Sequence, residues 1–260
     1  MDELIVLAPS EPDPLPEAVV SAIDEIATRH RAAGGLLLKL VSAAGGQIEN
    51  QLELLPEAVK DRLEAAAFKA LDVAYRTAGK SHHPAMPSGD RAHLALATLT
   101  GAVGGVAGLA SALAELPITT TMILRSIQSI AAGHGFDLAD PVVRAECLAT
   151  FAAGSPLPRD DGANTSFVTA RITLSGPAIQ RLIATIAPRF AALIGQKLAA
   201  QAVPVIGAFT GAGINYTFMD YFQEMAHVRF GLMRLGQTND PVRIAEAFRL
   251  ATESLLIRKA

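Results

Sequence analysis

Glu224-Met225-Ala226-His227 places a carboxylate and an imidazole one turn apart on the same face of a helix. Di-iron bundles use such a Glu-x-x-His unit twice, with two further Glu. This chain has it once, and it has no His-Glu-x-x-His, so His227 reads as a packing or hydrogen-bonding histidine and no metal set is expected. His82 and His83 adjoin Pro84 in a loop-like stretch suited only to adventitious metal. His30 and His93 fall in or beside apolar stripes and read as structural. The single Cys147 cannot form an internal disulfide, fits a reducing compartment and reads as a small buried hydrophobe. There is no Gly-x-Ser-x-Gly elbow. The spacing therefore assigns no catalytic residue and no cofactor. The remaining candidates are polar residues inside apolar blocks: Glu115, Arg125, Lys197, Asn215 and Asp220, together with His227.

The elements that carry these residues read as helices. Val19, Val20, Ile23, Ile26, Ala27 and His30 recur at helical spacing, and a second apolar run, LLLKLVSAAGG, ends in glycines that suit a helix C-terminus. From Pro56 to about Ala78 a stripe of Val59, Leu63, Ala67, Ala70, Leu71 and Ala74 is backed by a charged face of Glu57, Lys60, Asp61, Arg62 and Glu64. Asp140-Pro141 and Asp240-Pro241 each supply an N-cap followed by a proline suited to the first helical position. In the helix after the second of these, Ile244, Phe248, Ala251 and Leu255 share a face. Residues 78–90 and 154–166 read as loops, and no segment alternates as a strand would. The expectation is an all-α, multi-helix bundle, with a proline-rich leader over residues 1–16 and one domain over 17–260.

Half of the 260 residues are hydrophobic but only 5% are aromatic, so the core is built largely from small side chains. Gly101 and Gly105, and Gly104 and Gly108, are spaced by four, as are Gly207 and Gly211. Such faces let helix backbones approach closely. A P-loop is excluded, because no lysine stands beside these glycines. Residues 92–114 carry no formal charge and are long enough to cross a bilayer, yet they are mostly Ala, Gly and Thr with few large apolar side chains. A second uncharged stretch, 198–219, includes Gln201, Pro204 and Asn215. Buried core helices are the favoured reading of both.

Charge is polarised along the chain. Residues 1–64 carry twelve acids and five bases, whereas Gly162 to Met219 holds Arg171, Arg181, Arg189 and Lys197 without one acid. A net charge of −3 argues against a nucleic-acid partner. The acid-free stretch makes a membrane surface the expected partner, with a second copy of the chain as a further candidate. Acids in the first residues stand where a secretory signal needs bases, which predicts a cytoplasmic protein, peripheral at the inner face of the cell membrane.

Two blocks, roughly 90–153 and 181–250, resemble the EcsC family of bacterial proteins. The first carries Gly101, Gly104, Gly105, Gly108, Glu115, Pro117, Arg125, Ile127, Ile130, Gly135 and Asp140. The second carries Lys197, Pro204, Gly207, Gly211, Asn215, Asp220 and His227. Glu115 stands where Asp is expected, a conservative departure. The first ninety residues and 154–180 resemble the family less clearly. The resemblance implies a family without an established activity, whose namesake is encoded beside the subunits of an ABC transporter. It favours a non-catalytic, membrane-associated accessory protein with a membrane transporter as a further candidate partner, and the peptidase label of some relatives keeps a hydrolase as the alternative. Glu115, just before Pro117 at the end of a glycine-rich helix, is expected to pair with Arg125 on the next helix, where Arg125, Thr121 and Gln128 oppose a face of Ile123, Ile127 and Ile130.

Overall fold

The computed structural model describes residues 14–43, 57–78, 108–152, 179–188, 191 and 207–257. These form α1 (Glu17–Ala43), α2 (Glu57–Ala78), α3 (Gly108–Gly133), α4 (Pro141–Ala149) with a 3-10 turn at Thr150–Ala152, a helical stretch at 179–188, α5 (Gly207–Leu235) and α6 (Pro241–Ile257). The fold is all-α, and the described residues contain no strand. None of their helices is long and apolar enough to cross a membrane. The expected loops at 78–90 and 154–166 lie almost wholly outside the described residues, as do Gly101, Gly104 and Gly105. Gly108, Gly207 and Gly211 lie in the first turns of α3 and α5, and their packing is likewise outside the described set.

Both Asp-Pro starts are caps. The Asp140 carboxylate accepts from the Val142 N–H and the Asp240 carboxylate from the Val242 N–H, each at 2.8 Å, satisfying one of the amides that a helix start leaves open. The α2 stripe also packs as its spacing requires, with Leu63, Ala67, Ala70, Leu71 and Ala74 buried and Glu57, Asp61, Arg62 and Glu64 exposed. Ile244 and Phe248 of α6 are buried.

Four local expectations need correction. The two apolar runs of the first segment are one continuous helix, α1, which passes through Gly34 and Gly35. Val20 is 43% exposed rather than part of the buried stripe. Gln128 is buried on α3 together with Ile127, because the helix is covered on more than one side. Finally, α3 runs straight through Pro117, so Glu115 and Arg125 belong to one helix.

The packing is organised around α5, which at 29 residues is about 43 Å long. One side, through Met219, Phe222, Ala226 and Phe230, closes a core with α2, α3, α4 and Ile179, Ile183 and Ile186. The other side, through Val228 and Leu232, closes a smaller core with Ile23 and Ala27 of α1 and Ile244 and Phe248 of α6. Burial on two sides explains why α5 has no clean polar face.

Gly231 lies where α5 meets α1. A Cβ there would stand 3.1 Å from Ile26 Cδ1 and 3.9 Å from His134 Cε1. Gly231→Leu is therefore expected to lower stability by about 1–3 kcal/mol through overpacking. Adding Ile26→Ala should recover part of that loss in a urea melt. Additive losses would show that the two residues do not share this space.

Candidate functional site

Two polar assemblies stand out among the links between the described helices. The first is buried. Arg229 of α5 donates through both Nε and Nη2 to Glu146 Oε2 of α4, and both side chains are almost fully covered. Burial draws the Arg229 guanidinium below its ordinary value while the Glu146 charge and hydrogen bond oppose this; a guanidinium keeps its proton throughout. The neighbouring Cys147 is buried, and burial together with the Glu146 charge pushes its thiol up to about 12. It is a neutral packing group rather than a nucleophile. Around this pair, the Thr150 hydroxyl donates to the Glu146 carbonyl at 3.0 Å, and Phe151 packs on Phe222 with centroids 5.1 Å apart. A second buried link, from Gln223 Nε2 to Ser126 Oγ at 2.7 Å, joins α5 to α3.

The second assembly lines an open cleft of about 920 Å³ between α1 and the C-terminal half of α5. Its position depends on how α3 ends. The Phe136 N–H donates to the Ala131 carbonyl and the Gly135 N–H to the Ala132 carbonyl, with Gly135 at φ +87°. This is a Schellman C-terminus, in which glycine takes the left-handed position at no steric cost. The turn lays Phe136 on Phe230, with centroids 5.4 Å apart, and leaves His134 at the C-cap facing α5. There His134 Nε2 meets His227 Nδ1 at 3.2 Å. Burial, then His227, Arg234 and Arg29, hold His134 below the ordinary imidazole value. One turn before His227, Glu224 forms an ion pair with Arg29 of α1, Nε to Oε2 3.3 Å, partly exposed and worth about 0.2–1 kcal/mol. Asp24 and Glu25 of α1 and Arg234 of α5 complete the charged walls.

Of the polar positions singled out from sequence whose side chains are described, Arg125, Asp220 and His227, His227 lies in this cleft. Asp220 is half-buried elsewhere on α5, where burial raises its carboxyl. Arg125 is half-buried on α3. Glu115 is on the same helix ten residues earlier, about 15 Å along the axis, so the expected junction between them does not exist. The side chains of Glu115 and Asn215, and all of Lys197, lie outside the described residues. His30 packs edge-on against Phe248 at 5.6 Å and is held low by burial, then by Arg31. Among the described residues, no three His, Cys, Asp or Glu converge to hold a metal ion.

Sequence reasoning missed Glu146, Arg229 and His134. Glu146 and Arg229 each carried a usable signal, a lone charge between apolar neighbours (Ala145 and Cys147, Val228 and Phe230). For His134 the signal was Gly135-Phe136, a left-handed glycine followed by an apolar residue.

The sequence profile of the EcsC protein family matches residues 27–235. The chain belongs to the EcsC family. The match begins inside α1, well before the two blocks that carry the resemblance most plainly, and it ends at the last residue of α5. Both buried-pair residues and the whole His134–His227 contact fall within the EcsC region, whereas α6 lies beyond it. No curated protein and no solved structure matches the chain.

Removing one partner of a buried ion pair leaves an uncompensated charge. Arg229→Met and Glu146→Leu are each expected to cost about 3–5 kcal/mol in a denaturant titration. The double variant should cost less than either single one, since two apolar side chains then fill the site.

Proposed function

We propose that this EcsC-family chain is a non-catalytic helical protein that acts from the cytoplasm at the inner face of the cell membrane, as an accessory to a transport or envelope process. The observation that carries this reading is the charge pattern of residues 162–219, with four bases and no acid. Within the described part of that stretch, Ile183 and Ile186 are core residues while Arg181 is exposed. A base close to an anionic lipid surface contributes about 1 kcal/mol, so four give reversible, salt-sensitive association rather than anchoring. A transporter in the same membrane is the partner that such a location brings within reach.

A second reading, a hydrolase, is favoured by one specific feature: the cleft brings His134, His227 and Glu224 together with the hydroxyl residues Ser21 and Thr28. Turnover of a model peptide or ester that is abolished by His227→Gln would replace the first reading with this one.

Flotation with vesicles tests the membrane reading directly. The protein is expected to float with anionic vesicles at low salt, to stay behind with neutral ones, to be released by high salt, and to float less as Arg181→Glu. Folded protein that floats with neither kind of vesicle would overturn the proposal.

A further inference from the structure

The contact between His134 and His227 is oriented as well as close. Its ring centroids are 5.5 Å apart, nearly the largest separation that a 3.2 Å nitrogen contact allows. The rings therefore meet end-on instead of converging on a shared third point. An end-on contact of two imidazoles is an N–H···N hydrogen bond, with one proton between two nitrogens. It holds when both rings are neutral, and it holds when one is protonated, because the other nitrogen still accepts. With both rings protonated, two N–H donors would face each other, and the bond is lost.

This bond has a mechanical place in the fold. It ties the C-cap of α3 to the C-terminal half of α5, one turn before Gly231, where α5 meets Ile26 of α1. The charges around it come from several elements. From α1 come Arg29, Asp24 and Glu25, and from α5 come Glu224 and Arg234. In the turn after α3, Asp137 is occupied by the Ala139 N–H at 2.9 Å. Glu224 is engaged by Arg29, so the carboxylate nearest in sequence to His227 is partly neutralised. Arg29 and Arg234 both disfavour a second positive charge at His134.

We propose that the His134–His227 hydrogen bond is an acid-released latch: it stays closed while either ring is neutral and opens when both are protonated, moving the C-cap of α3 away from α5 and widening the cleft at His134. The direction for stability follows. Native His134 is held below its ordinary value, so the unfolded chain binds the proton more readily. The stability that the neutral ring contributes is complete above about pH 6.5 and declines as the pH falls below it.

Spin labels on Ser21→Cys of α1, which lines the cleft, and on Ala132→Cys of α3, two residues before His134, are both at exposed positions and report the separation of α1 from the end of α3. Cys147, buried and with its thiol at about 12, does not compete for label. The distance between labels, measured at neutral pH and at about pH 5, is expected to lengthen in acid. In the His134→Gln, His227→Gln double variant it should stay constant, because two amides hydrogen-bond without titrating. His227→Gln alone is a second variant with the same expectation, since its carbonyl accepts from His134 in either charge state. An unchanged distance in the protein with both histidines overturns the latch. So does an acid shift that persists in either glutamine variant, which would place the switch at another group such as His30.

Discussion

A guanidinium buried in the core has to be answered by a carboxylate, and that requirement sets the rest of the architecture. Arg229 cannot shed its charge and cannot reach water, so α4 must present Glu146 at one height along α5. Once that register is set, Phe151 follows onto Phe222, and the other face of α4 is held by Arg144, which donates to the Tyr75 carbonyl at 3.0 Å and lies 4.4 Å over the Tyr75 ring. One buried pair thus aligns α4 with α5, and α4 in turn aligns α2. An apolar pair could give equal stability, but it would accept neighbouring registers that an ion pair rejects.

The cleft is the polar counterpart on the outer side of the same helix. On its inner side α5 meets large apolar residues; on the other, Gly231 lets Ile26 of α1 approach closely, and the cleft beside it gathers imidazole, guanidinium and carboxylate groups. The histidine pair and the Arg29–Glu224 pair are both partly exposed, so neither holds the fold together. That leaves them free to respond to protons or ligands at little structural cost.

What the sequence disclosed, and what it did not, follows the range of each interaction. Asp140-Pro141 and Asp240-Pro241 are complete within three residues and could be read directly. The α2 stripe needs only the helical period. Continuity through Gly34, Gly35 and Pro117 could not be read, because local propensity favours a break and tertiary burial overrides it. The pairs that matter most join residues 83 and 93 positions apart. Periodicity identifies the face that a side chain occupies, but not the partner waiting on another helix. Glu115 and Arg125 show the converse error: two charges close in sequence were joined across a helix break that the fold does not make.

The central position of α5 also has a consequence in time. α1 is made first, yet it packs against α5 and α6, which are made last. During synthesis at roughly 5–20 residues per second, the interval between the end of α4 and the end of α5 lasts on the order of 4–17 s. Throughout it the apolar face of α1, with Ile23 and Ala27, waits without the helices that cover it in the finished fold. Slower translation of residues 153–206 would lengthen that exposure by the time added.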